Sequence, residues 1–120
     1  MKPLLLLCFI SLTLSLKAPP NGNLGIDVSA WQGYINWGAV AADGITFAIL
    51  RTTCLGGEMD SQFENNYSGC LNNGIPVSGY HFSYSLSTSE AVSDAQNLIN
   101  QLGGRKFPIY IDLEWEDQAT

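Results

Sequence analysis

The chain has 120 residues, enough for one modest domain, and a hydrophobic content of 46%, which can supply a core. Eleven Asp and Glu residues against five Lys and Arg residues give a formal net charge of −6 and no basic patch, which argues against nucleic acid as a partner. Three cysteines are too few for a miniprotein built on a disulfide scaffold.

The N-terminal segment has the layout of a secretory signal peptide. Lys2 precedes an uncharged apolar run over residues 4–16, and the small Thr13 and Ser15 lie near its end. The run falls short of the ~20 residues that a membrane-spanning helix needs, although an uncleaved anchor is the alternative. We expect a signal peptide over approximately residues 1–18 and a mature chain over residues 19–120 that does not associate with a membrane.

Export also bears on the cysteines. Cys8 lies in the predicted signal peptide, which leaves Cys54 and Cys70 as an even pair. An exported chain favours a disulfide between these two residues. Two buried free thiols are the alternative.

Strand and helix patterns alternate along the mature segment. Apolar runs predict strands at residues 24–29, 45–50, 75–84 and 108–114. Helical spacing, with Asn36 and Ser87 as caps and Gly74 and Gly103 as stops, predicts helices at residues 37–41, 60–73 and 88–102. This order indicates an α/β fold with a parallel sheet, either an open doubly wound layer or part of a barrel. In both architectures, ligands bind at the carboxyl ends of the strands.

The last predicted strand ends in two acids, Asp112 and Glu114. Because side chains alternate along a strand, both acids point to one face, with Cα atoms roughly 6.5–7 Å apart, and Ile109, Ile111 and Leu113 point to the other. Two carboxylates this close interact, and the pKa of one is expected to rise. A glycosidase needs such a pair, one acid protonated and one ionised. The alternative is a buried strand that runs into a solvated acidic loop, since Glu116 and Asp117 follow.

Polar side chains also fall at or near the ends of the other predicted strands, and this convergence favours a catalytic site; they are Asp27, Arg51 and Tyr84. A hard cation bound by carboxylates is the alternative, but no further oxygen ligands cluster there, so we predict no metal. The chain has no glycine-rich phosphate loop. Its single histidine, His81, lies inside a strand, and we expect a structural or hydrogen-bonding role for it.

Several short segments match one known pattern in order and in spacing. They are residues 25–33 (GIDVSAWQG) with 35–37 (INW), residues 47–53 (FAILRTT) with Asp60, Phe63 and Asn66, residues 79–83 (GYHFS), and residues 112–114 (DLE). On these residues the chain resembles the family 25 glycoside hydrolases, the Chalaropsis-type lysozymes or N-acetylmuramidases. The resemblance covers residue 24 to approximately residue 116.

The resemblance implies a parallel (β/α) barrel of the modified TIM type with eight strands. Because a full barrel takes about 250 residues, we expect residues 19–120 to hold only about the first four β/α units, as a partial catalytic domain. A fragment or truncated product is the expected explanation, and pairing with another half is the alternative. Half a barrel would leave open strand edges and an uncovered apolar interior.

The resemblance also implies roles for three acids. Glu114 would be the general acid that protonates the glycosidic oxygen. Asp112 would assist at the sugar ring by orienting the N-acetyl group of the substrate. Asp27 would lie in the floor of the same pocket and help to set its charge balance.

Three further residues are expected to contact the substrate or the acids. Tyr80 would line the sugar site, with core packing as the alternative. Trp31 would offer an aromatic face, with packing in the barrel as the alternative. Arg51 would pair with one of the carboxylates and keep it ionised, with a surface role as the alternative. Asn66 lies in a glycosylation sequon, but we expect a structural amide there.

The implied activity is hydrolysis of the β-1,4 bond between N-acetylmuramic acid and N-acetylglucosamine in bacterial peptidoglycan, without a metal or organic cofactor. The expected location is outside the cell or in the lumen of a lysosome or phagosome. One alternative is a secreted, non-catalytic remnant that binds peptidoglycan or another glycan. Another is a family 18 chitinase, which expects further acids where this chain has Pro108 and Tyr110.

Overall fold

The computed structural model describes residues 22–114. The predicted signal peptide and the acids Glu116 and Asp117 lie outside the described residues. The predicted alternation of strands and helices is confirmed, as β1 Gly25–Val28, α1 Trp37–Ala42, β2 Phe47–Thr53, α2 Phe63–Asn72, β3 Val77–Ser83, α3 Thr88–Leu102 and β4 Ile109–Leu113. Two short 3-10 segments follow β1 and β2, at Ala30–Gln32 and Leu55–Gly57.

The strands form one sheet in the order β1-β2-β3-β4, and every neighbouring pair is parallel. The predicted α/β class with a parallel sheet is therefore confirmed. The core lies between one face of this sheet and the helices, and it includes Val28, Ala48, Leu50, Trp37, Phe63 and Cys70. In the part of the chain from residue 22 to residue 114, no helix has the length and apolar character needed to cross a membrane.

The helix ends form where local chemistry favours them. The Asn36 side chain accepts a hydrogen bond from the Ala39 N–H at 3.1 Å, and the Ser87 hydroxyl accepts one from the Glu90 N–H at 3.3 Å. The Glu90 carboxylate accepts from the Leu86 N–H at 2.7 Å, one residue before the cap. The predicted caps at Asn36 and Ser87 are thus confirmed.

Strand β2 extends to Thr53, beyond the predicted end at Leu50. The extra residues are polar, so hydropathy alone ended the predicted strand too early. Their hydroxyls are hydrogen-bonded in the sheet: Thr52 Oγ1 donates to the Tyr80 carbonyl at 2.7 Å, and Thr53 Oγ1 lies 2.8 Å from His81 Nδ1. Satisfied hydroxyls of this kind can be buried at little cost.

Strand β4 is not the buried strand that its apolar sequence predicts. Tyr110, Ile111 and Leu113 are 54%, 58% and 65% exposed. Strand β4 pairs with β3 alone, and among the described residues no element covers its other edge. A cavity of about 800 Å³ also separates its apolar face from α3. Burial of β4 therefore depends on neighbours that residues 22–114 do not supply.

Candidate active site

A cavity of about 400 Å³ opens on the face of the sheet opposite to the helices, and it is lined by Asp27, Ile49, Tyr80, Tyr110, Ile111 and Asp112. The sheet register explains this lining. Tyr80 of β3 lies opposite Arg51 of β2 and Tyr110 of β4, and strand alternation places Asp27 and Asp112 on the same face. The structure thus brings together Asp27, Tyr80 and Asp112, three of the residues predicted for the site.

Charged groups on both sides of the cleft act on the phenol of Tyr80. Burial raises the pKa of its phenol above the usual value, and the negative charges of Asp27 and Asp112 act in the same direction. The positive charge of Arg51 and a hydrogen bond with the Ser29 side chain act in the opposite direction on that pKa. Tyr80 is therefore a neutral phenol at physiological pH, able to donate a hydrogen bond between two carboxylates.

Glu114 does not line the cleft with Asp112. Strand β4 ends at Leu113, which is the last residue paired with β3, so the sheet does not hold Glu114 in register. Glu114 is exposed, whereas Asp112 is half-buried. Asp112 does lie on the cleft face with Tyr110, and Ile109 and Leu113 border the cavity beneath α3, as alternation predicts. Ile111 contributes to the lining of both cavities.

Arg51 pairs with a carboxylate other than those predicted. Its Nε donates to Asp60 Oδ2 at 2.7 Å, and Asp60 is 4% exposed. The prediction that Arg51 pairs with a carboxylate of the cleft is therefore wrong. The physical reason is proximity, because the chain turns directly from the end of β2 into the loop that carries Asp60.

Asp60 is a residue of the site to which the sequence argument gave no role. Besides Arg51, its Oδ2 accepts from the Ala30 N–H at 3.0 Å, and its Oδ1 accepts from the Gln62 N–H at 2.9 Å. It therefore ties the turn after β1 to the end of β2 and to the start of α2. Asp60 lies three residues before α2, and an Asp in a turn commonly accepts a hydrogen bond from the backbone N–H two residues further on. That preference would have indicated its local role but not its contacts across the sheet.

Trp31 projects from the turn that follows β1. Ser29 and Gln32 form a capping box there, in which the Ser29 N–H donates to Gln32 Oε1 at 2.7 Å and the Trp31 N–H donates to Ser29 Oγ at 3.2 Å. Trp31 is 85% exposed and does not line the cleft. Trp31 therefore does not pack into the core formed by residues 22–114, and packing within a complete barrel stays the alternative. Its ring is free to contact a ligand beyond the rim.

The lone histidine lies on the helix side of the sheet, away from the cleft. His81 is buried, its Nδ1 lies 2.8 Å from Thr53 Oγ1, and its Nε2 lies 3.4 Å from Asp94 Oδ2 of α3. These contacts agree with the predicted structural role. Asn66 is also buried, and its Oδ1 accepts from Trp37 Nε1 at 3.2 Å, which agrees with a structural amide.

The predicted disulfide is absent, because Cys54 and Cys70 are both free thiols. Cys54 follows the carboxyl end of β2, whereas Cys70 lies near the end of α2, whose last turn leads back to the amino ends of the strands. The length of β2 separates them, about 20 Å at the usual rise per strand residue. A disulfide requires Cα atoms within about 7 Å.

The cleft combines hydrogen-bond acceptors on two strands with a neutral donor between them, which suits hydroxyl and amide groups of a sugar. Among residues 22–114, no group of three or more His, Cys, Asp or Glu side chains is arranged to hold a metal ion. The two carboxylates and the phenol of the cleft are groups that take part in hydrogen bonding.

Comparison with known proteins gives consistent matches. The sequence model described as "Glycosyl hydrolases family 25" matches residues 26–120. Lysozyme M1 of Streptomyces globisporus is 35% identical over 102 residues, which are 81% of this chain and 34% of that protein. The chain therefore spans about a third of the length of this curated relative.

Solved structures give the same result for the fold. A family 25 glycosyl hydrolase from Bacillus anthracis superposes with a TM-score of 0.65 at 29% identity, over 76% of this chain and 42% of that one. A bacterial lysozyme from Streptomyces coelicolor superposes with a TM-score of 0.60 at 30% identity, over 77% of this chain and 45% of that one.

Proposed function

The chain belongs to glycosyl hydrolase family 25, and from this premise we propose that the protein containing it hydrolyses bacterial peptidoglycan. The bond cleaved is the β-1,4 linkage between N-acetylmuramic acid and N-acetylglucosamine. Support comes from the similarity to a protein named as a lysozyme. Peptidoglycan is accordingly the proposed partner.

The observation that carries this proposal is the common cleft of Asp27, Tyr80 and Asp112 on the open face of the sheet. Cleavage of a glycosidic bond passes through a transition state that resembles an oxocarbenium ion, and nearby carboxylates stabilise its positive charge. Asp27 and Asp112 are suited to that task. The neutral phenol of Tyr80 is suited to hydrogen-bonding a sugar oxygen or the N-acetyl group.

Glu114 is the proposed general acid, and it would act by donating a proton to the leaving oxygen. In this proposal the segment after β4 brings Glu114 over the cleft when substrate binds. Support comes from its place two residues after Asp112, since strand alternation would give it the same face if β4 continued. Arg51 lies beside Tyr80 on the neighbouring strand and is held there by Asp60, and in this proposal Trp31 would offer an aromatic face to the sugar.

We also propose that the four strands are the first half of a (β/α) barrel. Support comes from the parallel order β1-β2-β3-β4 and from the exposed edge and apolar face of β4. A further strand beside β4 would complete its hydrogen bonds. In this arrangement the cleft would be the mouth of the closed barrel, which is where barrel enzymes bind their ligands.

We propose that residues 1–18 direct export and that residues 19–120 belong to the catalytic domain. Support comes from the charged start and the apolar run of the N-terminal segment. The protein would then act outside the cell or in the lumen of a digestive compartment. N-terminal sequencing of the secreted protein tests this, and an intact Met1 on the secreted form would contradict cleavage.

The test of the activity is clearing of a bacterial wall suspension by the whole protein and by its Glu114→Gln variant. Loss of a general acid typically lowers the rate by a factor of about 100 or more, so we expect clearing by Glu114→Gln to fall at least that far. Glu58→Gln is the matched control, because Glu58 is exposed and lies outside the cleft. Equal clearing by wild type and Glu114→Gln would overturn the role of Glu114.

A second candidate is a non-catalytic module that binds peptidoglycan. The observation that favours it is the position of Glu114, exposed and outside the lining of the cleft that holds Asp112. Retention on insoluble peptidoglycan without release of new reducing ends would support this candidate. Release of reducing ends that depends on Glu114 would exclude it.

A further inference from the structure

A second pocket lies on the opposite side of the sheet, between α1 and α2. Its volume is about 400 Å³, which is within the usual range for sites that bind small molecules. We call it the amide groove, because its polar lining consists mainly of asparagines together with one tyrosine and one serine: Tyr34, Asn36, Asn65, Asn66, Ser68, Asn72 and Asn73. No Asp, Glu, Lys, Arg or His side chain contributes to the lining.

The asparagines are oriented by bonds that use only one end of each amide. Asn36 Oδ1 accepts from the Ala39 N–H, Asn73 Nδ2 donates to the Gly69 carbonyl at 2.8 Å, and Asn65 Nδ2 donates to Gln62 Oε1 at 3.1 Å. The opposite end of each of these three amides takes no part in those bonds. The groove thus presents fixed donors and acceptors to a ligand at no cost in side-chain ordering.

Gly38 leaves the centre of the groove open. A Cβ at this position would lie 3.4 Å from Asn36 Oδ1 and 3.6 Å from Asn73 Oδ1, so two amide oxygens from different elements flank the same space. Trp37 closes the groove from behind, because its ring is buried and its Nε1 is bonded to Asn66. The groove therefore has a rigid floor and polar walls.

Tyr34 supplies an aromatic face at the mouth of this groove. It is 87% exposed, so its ring is almost entirely in contact with water. A tyrosine combines an apolar face with a polar hydroxyl, which suits ligands that are themselves amphipathic. The C–H face of a pyranose ring is such a surface, and its hydroxyls and N-acetyl group match the amides.

From these observations we propose that the amide groove is a second glycan-binding site, for a neutral chain of β-1,4-linked N-acetylglucosamine. The uncharged lining and the net charge of −6 disfavour anionic ligands. The groove and the cleft lie on opposite faces of the sheet, so one does not block the other.

Titration of the ¹⁵N-labelled full chain tests this proposal without any need for turnover. The probes are tri-N-acetylchitotriose and the peptide-free disaccharide of N-acetylglucosamine and N-acetylmuramic acid. We expect the side-chain amide signals of Asn36, Asn65 and Asn72 to shift. Shifts with chitotriose, with or without shifts from the disaccharide, support a site for N-acetylglucosamine units. Shifts with the disaccharide alone would overturn the proposal, because N-acetylmuramic acid carries a carboxylate.

Two variants locate the binding. Tyr34→Ala removes the exposed ring, and Gly38→Gln fills the space between Asn36 and Asn73; each should weaken binding about tenfold, the effect of losing one good contact. Leu71→Ala on α2 is the control, because Leu71 is exposed but does not line the groove. Asp112→Asn in the cleft should leave these amide shifts unchanged.

The proposal is overturned if neither sugar shifts the groove amides, or if the shifts are confined to the cleft around Tyr80. It is equally overturned if Tyr34→Ala binds as tightly as wild type. Because Tyr34 is exposed, this substitution is not expected to disturb the fold. Failure of wall clearing leaves these outcomes unaffected, since binding and hydrolysis are measured separately.

Discussion

Asp60 is almost fully buried, and both of its carboxylate oxygens accept hydrogen bonds, from Arg51, the Ala30 N–H and the Gln62 N–H. A buried carboxylate with a cationic partner is costly to disturb, because loss of one member leaves the other buried and unpaired. We therefore expect Asp60→Ala to lower the free energy of unfolding by about 3–5 kcal/mol. Urea denaturation, followed by tryptophan fluorescence, measures the loss.

Asp43→Ala is the matched control for this variant, since Asp43 is an exposed acid at the end of α1. A change within about 0.5 kcal/mol is expected for it, as for most surface substitutions. The double variant Asp60→Ala/Arg51→Ala should cost less than the sum of the two single variants, because the second substitution removes the unpaired cation. If the loss in the double variant equals the sum of the two single losses, the ion pair between Arg51 and Asp60 contributes no interaction energy to stability.

Cys70 and Tyr80 make the free energy of unfolding depend on pH in the alkaline range. Burial raises the pKa of the Cys70 thiol from 9.0 to about 12, and burial also raises the pKa of Tyr80. In the unfolded chain these groups ionise at lower pH, so their contribution to stability is complete below about pH 9 and is lost as the pH rises through the folded values. The free energy of unfolding should therefore fall between pH 9 and pH 12.

The measurement is urea unfolding at several pH values, compared between wild type and Cys70→Ala. The variant starts from a lower stability because it leaves a small cavity, but its slope against pH should be shallower. Identical slopes would mean that Cys70 ionises equally easily in the folded and unfolded states.

At the scale of elements, the sequence correctly predicted features that depend on neighbouring residues alone, such as the helix caps. The caps at Asn36 and Ser87 depend on hydrogen bonds within one turn, so both were correctly placed. Two expectations, the burial of β4 and the partner of Arg51, failed because they concern contacts beyond a single helix turn. The exposure of β4 follows from an unpaired edge, and the pairing of Arg51 with Asp60 follows from the path of one loop.

The cleft was predictable to the same extent. The shared carboxyl ends of parallel strands brought Asp27 and Asp112 together, whereas Tyr80 came from the family resemblance and not from the strand ends. Glu114 was predicted beside Asp112 on the assumption that β4 continues, but the strand ends at Leu113. The periodicity of the sequence predicts which face of the sheet a side chain occupies. It does not predict where the pairing between two strands ends.

Helices α1 and α2 pack so closely that the contact requires a glycine. A Cβ on Gly69 would lie 2.1 Å from Trp37 Cδ1, well inside van der Waals contact. Substitution of a mid-helix Gly by Ala normally stabilises a helix by about 1 kcal/mol. Here we expect the opposite sign, a loss of about 1–3 kcal/mol from overpacking.

Thermal and urea unfolding of Gly69→Ala measure this loss, and near-ultraviolet circular dichroism reports the displaced Trp37 ring. Gly38→Ala on α1 is the control, because a Cβ there meets only ordinary contacts of 3.4 Å and 3.6 Å. It should be neutral or stabilising. A stabilised Gly69→Ala would show that α1 moves away from α2 at little cost.

At the scale of the whole molecule, the sheet separates two surfaces with different chemistry. One face carries the cleft with its carboxylates, and the other carries the helices and the uncharged amide groove. The edge at β4 differs from both, since it exposes apolar side chains and, within residues 22–114, pairs with no further strand. A parallel sheet is normally covered on both faces, so this edge is the part of the molecule with the greatest tendency to associate.

We therefore expect a polypeptide produced as residues 19–120 alone to associate with itself at micromolar concentrations through β4. The exposed Ile111 and Leu113 supply apolar surface, and the open edge supplies hydrogen bonds to a second strand. Leu113→Lys places a charge on that surface and should shift the protein toward monomer in sedimentation velocity measurements. Leu71→Lys, a charge on the exposed surface of α2, should not. A monomeric wild type at about 100 μM, or equal association in both variants, would show that β4 is covered by other means, because an uncovered apolar edge does not stay dispersed at that concentration.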